Sequence, residues 1–139
     1  MAVTLSDLFD GFLFASFGAP YEYDAFLCRK SGRVYLHSEN IGDLEEMPDD
    51  LEDESKYIRI PHKNELGLGK RLVFEFVRER LPDQFRQVES YFSRRGAYAR
   101  FKDLLERKGA LQAWYDFERE AEEKALREWA EGNSIEISD

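Results

Sequence analysis

Residues 23–39, YDAFLCRKSGRVYLHSE, decide how this chain is built. Two runs of strand-forming residues flank Lys30-Ser31-Gly32, so the stretch reads as a β-hairpin. A two-residue Ser31-Gly32 loop sets Lys30 opposite Arg33 and Arg29 beside Val34. A three-residue loop, Lys30 to Gly32 with Gly32 left-handed, instead aligns Cys28 with Val34 and Phe26 with Leu36. That register gathers one apolar face, and burial of a face is what fixes register. It is the expected one, and it turns Cys28 inward as a small buried hydrophobe.

Helical periodicity surrounds the hairpin. Leu5, Leu8, Phe9 and Phe12 repeat at helical spacing after the cap candidate Thr4, with Gly18 and Pro20 as stop signals. Tyr57-Ile58-Arg59-Ile60 alternates like a short strand, and Pro61 suits an edge or a strand end. Residues 65–81 read as a helix with Asn64 as its cap candidate and Leu72, Val73, Phe76 and Val77 as its apolar stripe. Leu81-Pro82 breaks it, and a second helix over about 83–92 buries Phe85, Val88 and Phe92. Ala97, Tyr98, Phe101, Leu104 and Leu105 stripe a third, closed by Gly109. Leu111, Trp114, Phe117, Ala121, Ala125 and Trp129 stripe a fourth, and Ile135-Glu136-Ile137 alternates as a final strand. The expectation is an α+β single domain over 1–139. A small, mostly antiparallel sheet (the hairpin, the short strand and the C-terminal strand) packs against a bundle of about five helices.

Charge is informative once located. The net charge of −9 resides in residues 39–54, ENIGDLEEMPDDLEDE, which hold nine acids and no base. The rest balances, twenty bases against twenty acids. The stretch reads as an exposed acidic loop, and Asp49, Asp50 and Asp53 are its binding candidates toward a basic protein partner. Bulk acidity argues against non-specific DNA binding, where basic surface dominates affinity. Residues 63–108 nevertheless carry twelve bases against seven acids. Arg94, Arg95, Arg100 and Lys102 form a basic strip around 94–108 that could face RNA, with Tyr98 or Phe101 stacking on bases. The competing reading is that the rings face the core and the bases face solvent. Helices meeting at Gly109 resemble a helix-turn-helix, but residues 110–131 hold seven acids and three bases, so no DNA reading is expected.

No catalytic motif stands out. Leu66-Gly67-Leu68-Gly69-Lys70 lacks the spacing and the hydroxyl residue of a phosphate loop, and its glycines read as close-packing positions. The acidic loop lacks EF-hand spacing. His37 and His62 are the only imidazoles and Cys28 the only thiol, which supports neither a zinc site nor a nucleophile with a base and an orienting group. His37 lies on the outer hairpin face, and Glu65 follows His62 closely enough to reach it. No catalytic residue, metal or cofactor is expected. A single cysteine fits a reducing cytosol. The apolar N-terminus lacks a basic region and carries Asp7 and Asp10, so it does not read as a signal peptide, and no run is long enough for a membrane span.

Four blocks carry a family resemblance. They are YDAFLCRKSGRVYLHSE, residues 48–77, RRGAYARFKDLLERKGALQAWYDFE and ALREWAEGNSIE. Together they resemble the small bacterial proteins of uncharacterised family 0158 of the UPF series. Gly96-Ala97-Tyr98, Arg100-Phe101-Lys102-Asp103, Trp114-Tyr115 and Phe117 are the most specific residues. Family members often carry a cysteine near the end of the last helix, where this chain has Ala130. The resemblance implies a bacterial, cytoplasmic setting and brings no activity, substrate or catalytic residue. Function is therefore unknown at this level. The first expectation is a small cytoplasmic, non-enzymatic interaction or regulatory protein using charged surfaces. RNA binding through the 94–108 strip is the alternative, and an enzyme without a recognisable motif comes third.

Overall fold

The computed structural model describes residues 2–39, 42–43 and 46–138. Of the acidic stretch, residues 40, 41, 44 and 45 lie outside the described residues. The chain divides into two compact units: Met1–Leu66 with Glu123–Asp139, and Gly67–Glu122. Both helices and an antiparallel sheet are present, and the fold is α+β.

The first unit opens with strand β1 (Val3–Thr4) and helix α1 (Leu5–Ala15). The Thr4 side chain accepts a 3.0 Å hydrogen bond from the Asp7 N–H, as an N-cap should. Helix α1 buries Leu8, Phe9, Phe12 and Ala15 along one face. The hairpin is β2 (Tyr23–Cys28) and β3 (Val34–Ser38), flanked by β4 (Gly42–Asp43) and β5 (Tyr57–Arg59). The four strands are antiparallel in the order β4-β3-β2-β5. The residues before Pro61 thus form an edge strand, and part of the acidic stretch is a strand rather than loop.

The hairpin register differs from expectation by one residue. Leu27 faces Val34 and Ala25 faces Leu36. Gly32 is left-handed as anticipated, but its N–H bonds to the Cys28 carbonyl while the Cys28 N–H bonds to Arg33, so the loop has four residues. A one-residue slip exchanges the faces of a strand. Ala25 and Leu27 are buried toward α1, and Phe26 and Cys28 lie half-buried on the opposite face. The reason is contact with α1. A side chain at Gly11 would sit 3.5 Å from Ala25 Cβ and closer still to Val34 and Ile60, so the helix backbone rides directly on this face. The small Ala25 fits there, and the Phe26 ring is carried to the opposite face.

The C-terminal strand β6 (Ile137–Ser138) does not join this sheet. It pairs in parallel with β1, Val3 beside Ile137, as a separate two-stranded ladder. The turn that delivers it holds Ser134 at φ 59°, with the Ile135 N–H bonded to the Ala130 carbonyl.

The second unit contains α2 (Lys70–Arg80), α3 (Phe85–Tyr91), α4 (Ala97–Arg107) and the first turns of α5 (Leu111–Gly132). Helix α2 starts later than expected. Residues Lys63–Leu66 form a 3-10 turn, Gly69 is the N-cap, and Asn64 caps nothing. Gly67 serves as a left-handed position (φ 69°), with only the end of the Arg71 side chain near where its Cβ would lie, so it is not a close-packing glycine. The core joins Leu72, Val73, Phe76, Val77, Val88, Phe101, Leu104, Leu105 and Trp114. Edge-to-face ring contacts stitch it, Phe76 to Trp114 at 5.4 Å and Phe101 to Trp114 at 5.1 Å. Phe117 packs here as well, whereas Tyr98 keeps 38% of its surface.

Two left-handed glycines give a contrasting prediction. A Cβ at Gly32 would lie 2.5 Å from the Ala2 carbonyl oxygen, whereas one at Gly109 would meet nothing within 4 Å. Gly109→Ala should therefore cost only the backbone strain of about 1–2 kcal/mol, and Gly32→Ala should cost about 2–3 kcal/mol because backbone must also move. Urea denaturation of both variants tests this, and equal losses would contradict it.

Candidate functional site

The outer face of the sheet collects the chemistry of the first unit. Alternation places Phe26 between Tyr35 and Arg59, and Cys28 beside Tyr57, all on the face away from α1. The segment 46–56 folds against one end of this face. The Asp53 N–H bonds to the Asp50 carbonyl, and the N–H groups of Lys56 and Tyr57 bond to the Asp53 carbonyl. Lys56 Nζ lies 2.8 Å from Asp50, and Asp53 accepts from both the N–H and the hydroxyl of Ser55. The Lys56 hydrogen bond holds the Asp50 carboxyl below its ordinary range, and the Ser55 bonds do the same for Asp53.

Two hollows flank this turn, with Tyr57 shared between them. One, about 450 Å³, is lined by Arg33, Tyr35, Glu46, Met47, Pro48, Asp49 and Tyr57. The other, about 590 Å³, includes Phe26, Arg29, Glu52, Glu54, Tyr57 and Arg59. Both are open surface hollows rather than enclosed clefts. Their arginines are already engaged. Arg29 donates to the Glu54 and Asn133 carbonyls, at 3.2 and 3.0 Å. The Arg33 guanidinium lies 4.7 Å from the Tyr35 ring centroid. Arg59 pairs with Asp24 and Glu65, each at 3.0 Å, beneath the Tyr21 ring at 4.0 Å. Only its Nη2 is buried without a partner among the described residues. Tyr21 holds its ring there at φ 73°, a left-handed conformation costly for a bulky residue. Burial alone would raise the Glu65 carboxyl, but Arg59 and the His62 N–H outweigh it and hold it below the usual range.

His62 is structural. It is 1% exposed. Its Nδ1 accepts from the Asn64 N–H at 3.0 Å, which leaves Nε2 to donate to the Gly18 carbonyl at 2.9 Å. Glu65 does reach His62, but at the backbone N–H rather than the ring. His37 lies on the outer face, opposite Asp24 and Asp43 in register. Cys28 is half-buried rather than inward-facing. Burial raises its thiol pKa, yet hydrogen bonding to Ser31 and to the turn N–H groups, with the Lys30 charge, brings it below the ordinary value. No group of three metal-ligating side chains occurs among the described residues.

The acidic candidates thus fall in one place: Asp49 lines a hollow, and Asp50 and Asp53 brace the turn. The basic candidates lie in the second unit. Arg94 and Arg95 are exposed in the turn between α3 and α4, Arg100 is exposed on α4, and Lys102 Nζ lies 5.6 Å from the Tyr115 ring centroid. Of the two rings considered for base stacking beside them, Phe101 is wholly buried and Tyr98 is exposed. Arg59, Tyr21, Asp24 and Glu65 were missed as a cluster. Their one signal was a charged residue alternating with isoleucines in Tyr57-Ile58-Arg59-Ile60.

Nothing matches among curated proteins or among solved structures. No helix among the described residues is long and apolar enough to cross a membrane. The model of the uncharacterised protein family UPF0158 matches residues 1–138, nearly the whole chain, and the chain belongs to that family.

Proposed function

We propose that this is a non-enzymatic interaction or regulatory protein of the cytoplasm whose acidic turn and flanking hollows take a basic segment of a partner protein. The observation that carries this is the placement of acids against rings. Glu46 and Asp49 line the first hollow beside Tyr35 and Tyr57, and Glu52 and Glu54 line the second beside Phe26 and Tyr57. No cation of the described residues forms an ion pair with these four carboxylates, while the arginines nearby are held by the protein itself. A lysine or arginine of the partner would lay its stem along a ring and its head against a carboxylate. Because Asp50 and Asp53 brace the turn in advance, little ordering cost is left for binding.

A fluorescein-labelled peptide of alternating lysine and arginine, titrated by fluorescence anisotropy, tests the reading. The wild type should bind, and Asp49→Lys with Glu52→Lys should weaken binding by about tenfold or more. An acidic peptide of the same length should not bind. Equal affinity in the variant, or no binding by the wild type, would refute it.

A further inference from the structure

The second unit carries a different surface. Four-residue steps stack on one face of a helix, so Lys70, Phe74 and Arg78 form a line along α2, with Arg71 beside it. These four residues line a hollow of about 360 Å³ that contains no carboxylate. In a chain of net charge −9 that is a local reversal of sign. Lys70 Nζ lies 5.8 Å from the Phe74 ring centroid, and the Arg78 guanidinium 4.9 Å from that of Phe85. Arg71 and Glu75 approach to 3.8 Å on the exposed helix surface. The half-buried Phe74 ring also begins a row. It contacts Phe85 at 5.6 Å and Phe92 at 5.7 Å, and Phe92 contacts the exposed Tyr98 at 5.0 Å. Arg94 and Arg95 stand exposed in the turn between Phe92 and Tyr98.

We propose that this row of partly buried rings, ending in the exposed Tyr98 and rimmed by Lys70, Arg71 and Arg78, binds single-stranded RNA. The span decides against a lone phosphate group. Lys70 and Arg78 are eight residues apart, about 12 Å along the helix axis, which suits phosphates two nucleotides apart on a strand rather than one phosphate. A strand fits better than an acidic peptide, whose carboxylates would answer the cations and leave the face of the exposed Tyr98 ring unused. Bases stack on such faces at a gain of about 1–3 kcal/mol each. The rings decide against a duplex, whose bases are already stacked, whereas single-stranded RNA offers unstacked ones. This surface belongs to the second unit and the acidic turn to the first, and the two readings stand or fall independently.

A labelled oligouridylate strand, titrated against the full chain by fluorescence anisotropy over a range of salt, tests the assignment. Three cations predict a slope of about −2 in log affinity against log salt for a single strand. Lys70→Glu with Arg78→Glu should weaken binding by about tenfold or more. Phe74→Leu, which keeps an apolar side chain but removes the stacking face, should weaken it by about tenfold. Lys70→Gln with Arg78→Gln serves if charge reversal disturbs the fold, and should also weaken binding. Asp49→Lys with Glu52→Lys should not weaken it. Absence of binding by the wild type would overturn the proposal, as would an unchanged affinity in the α2 charge variants. Equal competition by polyglutamate or by a duplex of the same length, or tighter binding of the matching DNA strand, would also overturn it.

Discussion

Phe101→Ala is expected to lower the unfolding free energy by about 3–5 kcal/mol, and Trp114→Ala by no more than that despite its larger ring. Both side chains sit in the core of the second unit, 0% and 1% exposed, with ring centroids 5.1 Å apart. Removing either ring leaves a cavity that neighbouring residues can fill only partly. Trp114 differs in one respect. Its indole Nε1 is buried with no hydrogen-bond partner among the described residues. A stranded buried donor costs about 1–3 kcal/mol, and truncation recovers that cost. The same logic makes Trp114→Phe much milder than Trp114→Ala. Urea denaturation midpoints measure all three variants. A Trp114→Ala loss well above that of Phe101→Ala would show that the indole N–H is satisfied, and unchanged midpoints would show that neither ring is core.

His62→Ala is expected to cost about 3–4 kcal/mol. The ring is buried, accepts from the Asn64 N–H and reaches the Gly18 carbonyl, 44 residues away in sequence from His62. Alanine leaves a cavity together with an acceptor and a donor that have lost their partner. The outcome separates a structural histidine from a chemical one. A structural bridge predicts a large loss of stability by thermal and urea unfolding. A histidine held for chemistry could be removed with little change in either.

Helices were largely legible in the sequence because their evidence is local. The Thr4 cap, the Leu81-Pro82 break, the Gly109 stop and the stripes of α2 and α4 each depend on residues within a few positions. The start of α2 was less legible, since Asn64 is a good cap by type but lies before a 3-10 turn and a left-handed glycine. The hairpin was legible as a hairpin and illegible in register. Ala25, Phe26, Leu27 and Cys28 are all apolar, so either alternation makes a plausible buried face. Close approach of the α1 backbone at Gly11 favoured the small residue, and no periodicity could reveal that.

The acidic turn could be seen as composition, and Asp49, Asp50 and Asp53 were singled out as candidates that way. Its setting could not. The hollows beside it are made by Phe26, Tyr35 and Tyr57 from three strands, and the Arg59 cluster joins residues 21, 24, 59 and 65. The cations of the second unit are spread more widely along the chain than the basic strip. Bases at 94–102 are close in sequence, and within the second unit Lys70, Arg71 and Arg78 on α2 share a hollow with the Phe74 ring.

Sequence by itself determined the family, the α+β class, the helices and the segregation of charge, because propensity, capping and helical period act over one or two turns. Tertiary structure alone decided the hairpin register, the parallel pairing of the C-terminal strand with Val3–Thr4, the structural role of His62 and the composition of both surfaces. Those features rest on contacts between residues far apart in the chain, where packing and unpaired polar groups set the energy and no local pattern records them.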